Sequence, residues 1–297
     1  MTSTTSSSPG RAGSGGGPSA VGRGPARAVR PLLVLAFWLG VWQLVSTSVG
    51  QDFLLASPVS TGRRLTELVV TGDFWTTVGH SLTRIAVGFL AAAVVGGVTA
   101  AGAAAWRPVD EVLSPAMTAV RAAPVVSFII LVLIWTGSAW LAAVTSFLMV
   151  LPIVHSAVLG GIRQRDRALL EMAEVFRIPR LRRLVAIDVP AVLPYFATAC
   201  HVGVGLAWKA GVAAEVIGLP QGSIGERMYQ GKLLLSSADV LAWTVVVIAV
   251  SFASERLVSA LLARGQARLA LDRGRASASG PGRPGPSAAD DARGAVA

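Results

Sequence analysis

Residues 122–162 read AAPVVSFIILVLIWTGSAWLAAVTSFLMVLPIVHSAVLGGI, a stretch that contains no Asp, Glu, Lys or Arg. A helix needs about 20 mainly apolar residues to cross the hydrocarbon core of a bilayer. The stretch is about twice that length, and Gly137-Ser138 interrupts it near the middle. It therefore predicts two consecutive transmembrane helices that are separated at Gly137-Ser138.

Four further uncharged apolar runs lie on either side of this stretch, at 31–51, 85–106, 189–208 and 240–254. The last run is the shortest, but leucine-rich segments at 233–235 and 257–262 flank it. Together the runs predict an all-α polytopic membrane protein with six transmembrane helices. A competing interpretation of 27–50 as a cleaved signal peptide is disfavoured, because its apolar run is long for a signal sequence.

The composition of the 297-residue chain agrees with a membrane protein. Hydrophobic residues make up 53% of the chain and charged residues 14%, and the mean hydropathy is +0.62. A soluble domain carries about 25% charged residues, so a globular surface that faces water on all sides is excluded. The single cysteine, Cys200, excludes a disulfide framework and a multi-cysteine metal site.

Most of the Lys and Arg residues, which give a net charge of +10, fall in alternate connecting segments. Cationic connections are retained on the cytoplasmic side, so the pattern predicts cytoplasmic N and C termini. The terminal segments 1–30 and 266–297 are rich in small and polar residues and are predicted to be disordered cytoplasmic tails. Between the tails we expect a first transmembrane helix at 31–51 and a membrane domain at 75–262.

The segment 163–190 is longer and more varied in sequence than a simple turn between two spans requires. Asp166 can cap a helix that runs to about Arg177, and Pro179 ends it. A second short basic helix is expected at 181–186, and Pro190 opens the next span. The apolar side of the first helix consists of Leu169, Leu170, Ala173 and Phe176. Such a hairpin suits either an amphipathic segment bound to anionic lipid or a docking surface for a soluble partner.

Part of this segment matches a known pattern. Glu171-Met172-Ala173 is followed, at the same spacing as in that pattern, by Arg177 and then by Ile187-Asp188-Val189-Pro190. The arrangement resembles the EAA loop of ABC importer permeases. Arg177 stands where that family has glycine, and Val189 stands where it has leucine. Because glycine normally supplies the turn at this point, we expect Ile178-Pro179 to make the turn instead.

Three further segments resemble the nitrate, sulfonate and taurine permeases within that family. They are Leu55-Ala56-Ser57-Pro58, residues 121–137 around the third span, and residues 205–218 around the fifth span. The resemblance implies an ABC transporter type I permease fold in a multi-pass protein of the bacterial cell membrane. It also implies that 75–262 is the type-1 transmembrane domain and that 163–190 is its coupling loop.

The resemblance implies a function and a set of partners as well. The chain would be the permease subunit of an ATP-driven importer for a small anion such as an aliphatic sulfonate, taurine or nitrate. The alternative cargo is a pyrimidine, a thiamine precursor or another vitamin-like solute. The partners would be two ATP-binding subunits, a second permease copy and an extracytoplasmic substrate-binding protein, with no nucleic acid. The residues implied to couple to the ATPase are Glu171, Ala173, Phe176, Arg177, Pro179 and Pro190.

We expect the chain to have no catalytic residues and to bind no cofactor itself, with ATP and magnesium on the partner subunit. The segment most like a phosphate-binding loop begins at Gly225. Five residues separate Gly225 from Gly231, whereas the loop has four residues between its glycines. In addition, Leu233 stands where the loop needs Ser or Thr. The histidines are expected to be packing residues rather than metal ligands; they are His80, His155 and His201.

Lys209 and Glu215 lie at the end of the fifth span, where a charge at membrane depth marks either a pathway or a paired structural site. One hypothesis is that Lys209 lines the translocation path, with Glu215 beside it, and attracts an anionic substrate. The other is that Lys209 extends to the membrane surface while Glu215 caps or pairs locally. A competing class, an ion-gradient-driven secondary transporter, predicts intramembrane acids and inverted repeats, and neither pattern is visible.

Overall fold

The computed structural model describes the backbone of residues 26–51 and 53–278 and the side chains of 32–51 and 53–267. Every regular element in this part of the chain is a helix. The chain divides into two units, Met1–Gly50 and Gln51–Ala297. The first unit contains α1 (Ala26–Val49), whose window Leu32–Val49 is long and apolar enough to cross a membrane.

The second unit contains the other helices. They are α2 (Pro58–Val69), α3 (Gly72–Ala105), α4 (Arg107–Ala122), α5 (Val125–Thr136), α6 (Leu141–Arg163), α7 (Arg167–Val175), α8 (Arg180–Arg183), α9 (Val189–Gly218), α10 (Ile224–Leu233) and α11 (Ser237–Ala278). A π-helical turn, Leu184–Asp188, joins α8 to α9, so that Arg180–Gly218 forms one continuous helical segment.

The core of the second unit lies where α3, α6 and α9 pack against one another. Ile85, Val150 and Trp208, one from each helix, are among its buried side chains. The helices approach closely at Gly88, where an added Cβ would lie 2.1 Å from the carbonyl oxygen of Ala143. Small residues permit this approach, which provides the van der Waals contact that holds helices together in lipid.

The third span is the element that differs most from the sequence-based expectation. Gly137, with a φ of 70°, ends α5 and separates it from α6, as predicted. However, α5 has only 12 residues and is too short to cross a bilayer alone. It follows α4 through a bend of 104° before Pro124, and the two helices together have the length and hydropathy of one span.

The amphipathic helix α2 is fixed to the beginning of α11 by an ion pair. Arg64 donates a hydrogen bond from Nε to Asp239 Oδ1 at 2.5 Å, and its Nη1 lies 3.0 Å from Glu67 Oε2. The hydrogen bond to Asp239, with that to Glu67, raises the pKa of the Arg64 guanidinium above its usual value. The Arg64 guanidinium therefore stays charged across the physiological pH range.

Among the described residues, five helices are long and apolar enough to cross a membrane, or six spans when the bent α4–α5 pair counts as one. The second count agrees with the six transmembrane helices that the sequence predicts. Residues 26–30 and 266–278, expected to belong to disordered tails, are helical, since Ala, Arg and Leu favour the helix. Residues 1–25 and 279–297 of the predicted tails lie outside the described part of the chain.

Candidate coupling loop and charged span residues

The connection between α6 and α9 begins with a capped helix. Asp166 is the N-cap of α7, and its Oδ1 accepts a hydrogen bond of 2.8 Å from the backbone amide of Ala168. The cap satisfies one of the free amides of the first turn, as the sequence predicts. It starts a nine-residue helix directly after the end of the α6 span.

The helix α7 and the residue after it expose several apolar side chains. Phe176 and Val175 are 73% and 78% exposed, Leu169 and Met172 are about half-exposed, and Glu171 is exposed beside them. Ala173, in contrast, is only 2% exposed and lies inside the chain. The predicted apolar side of α7 included Ala173, but Ala173 is buried. Its small side chain lets α7 pack closely against other residues of the same chain.

The turn after α7 is made by Arg177, and the expectation that Ile178-Pro179 would replace the family's glycine is wrong. Arg177 has a φ of 51°, the left-handed conformation that glycine adopts without cost. Its amide bonds to the carbonyl of Glu174 at 3.0 Å, and the amide of Ile178 bonds to that of Ala173 at 2.9 Å. These two bonds form a Schellman motif with Arg177 at its usual glycine position.

The predicted second short helix at 181–186 is not a separate element. Pro179 is followed by α8, a single turn that continues through the π-helical turn into α9. In a regular α-helix the ring of Pro190 would clash with the carbonyl of Ala186, four residues earlier. The chain instead widens to i→i+5 bonding, with the amide of Val189 bonded to Leu184. Pro190 thus lies in the first turn of α9 without starting a new helix.

Three contacts close the base of this connection. Asp188 accepts a hydrogen bond from Arg165 at the beginning of the loop, and its second oxygen lies 3.5 Å from Arg183 Nε. The hydroxyl of Tyr195 donates to Gln164 Oε1 at 2.7 Å. We call the Arg165–Asp188–Arg183 group the loop clamp. Sequence reasoning missed it, because the spacing of these charges does not show that the two ends of the loop meet.

Lys209 and Glu215, which the sequence places together at the end of α9, have opposite environments. Lys209 is exposed on α9 and has no hydrogen bond or ion pair among the described residues. Glu215 is completely buried, and its Oε2 accepts hydrogen bonds from Ser81 Oγ at 2.8 Å and from the amide of Gly225 at 3.3 Å. Glu215 therefore joins α3, α9 and the beginning of α10 inside the chain.

Two of the three histidines, His155 and His201, make polar contacts between helices. His155 is buried, and its Nδ1 lies 3.0 Å from Thr99 Oγ1. His201 Nε2 lies 2.9 Å from Glu255 Oε1, and this contact brings a carboxylate of α11 against α9. No sequence pattern predicted the contact between His201 and Glu255. Within the described part of the chain, no group of three or more His, Cys, Asp or Glu side chains could hold a metal ion.

Comparison with solved structures supports the helical architecture. The chain is similar to a bacterial ABC transporter involved in the import of the acidic polysaccharide alginate, with a TM-score of 0.54. The similarity covers 80% of this chain and 98% of the other, at 14% sequence identity. At that identity the likeness concerns the fold alone.

Comparison of sequences identifies the family. The chain is 27% identical to a probable ABC transporter permease protein of Haemophilus influenzae, over 76% of this chain and 91% of the relative. It is 28% identical to the nitrate import permease of Synechocystis sp. (64% and 72% covered) and 27% identical to the taurine transport permease of Escherichia coli (77% and 86%).

The model of one protein family matches residues 92–266, which include α4 to α10 and the whole loop between α6 and α9. That family is described as the binding-protein-dependent transport system inner membrane component. Together with the apolar spans, the match makes the protein a multi-pass inner-membrane protein. The chain belongs to this family, the membrane-embedded permease subunits of ABC importers.

Proposed function

We propose that this permease imports a small anion and that its α6–α9 loop docks on a separate ATP-binding subunit. Glu171 and Phe176 would contact that subunit, because Glu171 is exposed on α7 and Phe176 is exposed at its C-terminal cap. Ala173, Arg177 and the prolines at 179 and 190 would set the position of the helix. ATP and magnesium would bind to the partner, and both termini of this chain would lie with the loop on the cytoplasmic side.

The assembly we propose contains two copies of this permease, two ATP-binding subunits and an extracytoplasmic binding protein. One membrane chain buries only part of its own span residues: 22% of the α8–α9 window and 6% of the α11 window are buried. Exposed apolar surface can face lipid, but an exposed ammonium at membrane depth is costly there unless its side chain extends to the membrane surface. A second copy would enclose Lys209 in a shared path.

The anionic cargo rests on Lys209. An intramembrane cation without a counter-charge is costly, and such residues mark ion and substrate pathways. Arg121 supplies a second cation that sequence reasoning did not single out. Its Nη2 lies 2.5 Å from Ser156 Oγ, and it lines a polar cavity of about 300 Å³ between α4 and α6. No carboxylate pairs with Arg121 among the described residues.

The relatives favour the same class of cargo. Permeases for nitrate, taurine and aliphatic sulfonates are among them, as are bicarbonate permeases, and all of these solutes carry an anionic group. A formylaminopyrimidine permease is also related to this chain, at 26% identity. It supports the alternative cargo, a thiamine precursor or similar vitamin-like solute.

Uptake into proteoliposomes tests the proposal. The vesicles contain the permease with its ATP-binding subunit and binding protein, and the solutes offered are nitrate, taurine and formylaminopyrimidine. We expect ATP-dependent uptake of an anion and about tenfold slower uptake with Lys209→Gln, the effect of roughly 1.4 kcal/mol. The control is Lys232→Gln, the same substitution at the other lysine, which lies in α10 beside Tyr229.

Three results would contradict parts of this proposal. Uptake of only the pyrimidine would exclude the anionic cargo and leave the importer intact. Equal rates for the two lysine variants would remove Lys209 from the path. Uptake that ionophores abolish and ATP does not drive would indicate an ion-gradient-driven secondary transporter.

A further inference from the structure

A groove opens on the surface of the second unit where α3, α6 and α9 diverge, beside the base of the loop. Its volume is about 640 Å³, within the range of roughly 300–1,000 Å³ found for small-molecule sites. The walls come from the end of α3, the end of α6 and the first turns of α9. Apolar residues that form them include Ala101, Ile162, Val192 and Phe196.

The floor of the groove is open because α3 has small residues on this side. Gly97 lies on the lining, and a Cβ added to it would meet no atom within 4 Å. Ala101 and Ala104 on the same helix are exposed. No side chain of the described residues fills this space, which is therefore wide enough for a flexible apolar chain.

The mouth of the groove is charged, unlike its walls. Arg165, Arg183 and Asp188, the residues of the loop clamp, are the charged residues of the lining. Two guanidinium groups face one carboxylate, so the mouth has an excess positive charge. Arg183 approaches Asp188 only through Nε, and its two terminal nitrogens have no hydrogen bond among the described residues. They are free to bind an anion.

The mouth lies at one end of helices that are long and apolar enough to cross a membrane. The apolar span of α9 begins at Val189, directly after Asp188, and the exposed loop with α7 projects from the same end. In a bilayer that these helices span, lipid phosphates would lie at the level of the mouth and acyl chains at the level of the walls. Basic pockets between transmembrane helices at such a surface bind anionic headgroups.

We propose that this groove is a binding site for an anionic phospholipid, with an acyl chain between α3, α6 and α9 and the phosphate on Arg183. The choice of an anionic lipid follows from the charge excess at the mouth, because a zwitterionic headgroup brings its own cation against Arg183. The occupant contacts the loop clamp, so lipid binding stabilises the base of the loop. The proposal depends on the membrane location of the chain and does not depend on the identity of the transported solute.

Native mass spectrometry of the full-length chain in detergent tests the proposal, with phosphatidylglycerol and phosphatidylcholine as probes. We expect wild type to retain phosphatidylglycerol more strongly than phosphatidylcholine. Arg183→Gln should weaken phosphatidylglycerol binding about fivefold, because one basic residue near an anionic lipid surface contributes roughly 1 kcal/mol. Arg182→Gln is the matched control, since Arg182 is exposed on the same helical turn and does not line the groove.

A second variant fills the groove without touching a charge. Gly97→Leu places a side chain in the open space and should weaken the binding of both lipids. Gly79→Leu is its control, because Gly79 is also on α3, its Cβ would meet no atom within 4 Å, and it lies outside the groove. The thermal midpoints of all four variants in detergent confirm that each is folded.

Three results would overturn the proposal. Equal retention of the two lipids by wild type would show ordinary lipid contact without a headgroup site. Equal binding by Arg183→Gln and Arg182→Gln would remove Arg183 from the site. A dimer that persists without lipid and is lost in Gly97→Leu would show that a second copy of the chain occupies the groove.

Discussion

At the scale of single residues, Arg177 shows how the chain keeps a loop shape that its sequence does not favour. A non-glycine residue in the left-handed conformation costs about 1–2 kcal/mol, and Arg177 occupies it with a φ of 51°. Both Schellman bonds are present. The geometry of the turn is therefore maintained by the surrounding bonds rather than by the residue type at the turn.

Replacing Arg177 tests this conformation. Arg177→Gly removes the steric cost and should raise the free energy of unfolding of the local turn by about 1 kcal/mol. Arg177→Val adds β-branching at a positive φ and should lower it. Thermal midpoints of the purified chain in detergent measure both effects. A valine variant as stable as the glycine variant would show that residue 177 does not adopt the left-handed conformation.

The contact between Glu215 and Gly225 gives a second prediction at this scale. A Cβ on Gly225 would lie 2.4 Å from the backbone carbon and the Cβ of Glu215. Gly225→Ala should therefore destabilise the chain by about 1–3 kcal/mol, as overpacking does elsewhere. The matched substitution Gly79→Ala, whose Cβ enters open space, should leave the thermal midpoint at or above that of wild type, because alanine favours a helix interior more than glycine does. A midpoint for Gly225→Ala equal to that of Gly79→Ala would contradict this packing.

At the scale of elements, the loop clamp makes the coupling loop part of the helix bundle. Asp188 and Arg165 have side chains that are 13% and 23% exposed, so water screens their ion pair only in part. They connect the first residues after α6 to the residue before α9. A force on α7 would therefore reach both spans at their ends.

Breaking the loop clamp should loosen the loop. Asp188→Asn leaves two arginines without a carboxylate, and we expect trypsin to cleave at Arg177 and Arg180 about fivefold faster, the effect of roughly 1 kcal/mol. Glu174→Gln is the control, because it removes one exposed charge of the same loop. The exchange Arg165→Asp with Asp188→Arg should restore slow cleavage. Equal cleavage rates for Asp188→Asn and Glu174→Gln would show that the pair does not hold the loop.

The sequence predicts some elements of this loop and not others, for physical reasons. Asp166 was identified as a cap because capping depends on neighbours in the chain. The conformation of Arg177 was missed because propensity alone favours a turn at Ile178-Pro179. The continuity of α8 with α9 was also missed, since a proline in a first turn normally marks a helix start. At this site, the π-helical turn accommodates the ring of Pro190 without a break.

At the scale of the whole molecule, hydropathy predicts the number of spans better than their shapes. The uncharged stretch 122–162 predicts a break at Gly137, and α5 ends there. The same stretch does not show that α4, a helix with several charges, precedes α5 across a bend of 104°, nor that the two together have the length and hydropathy of one span. The buried position of Glu215 likewise depends on its hydrogen bond with Ser81, a residue 134 positions away in the sequence. A local sequence pattern cannot predict such a contact.

The docking of α7 on an ATP-binding subunit is the central claim for the molecule as a whole, and co-purification from native membranes tests it most directly. The test variant is Glu171→Arg with Phe176→Glu, which changes an exposed residue of α7 and the exposed residue at its C-terminal cap and leaves the buried Ala173 intact. The control is Val70→Glu, because Val70 is 83% exposed and precedes α3, at the opposite end of that span from Ala105. We predict that wild type and Val70→Glu retain an ATP-binding subunit and that the double variant retains at most about a tenth as much, the effect of roughly 1.4 kcal/mol. Equal recovery with the double variant, or no ATP-binding chain with wild type in the presence or absence of ATP, would contradict the claim.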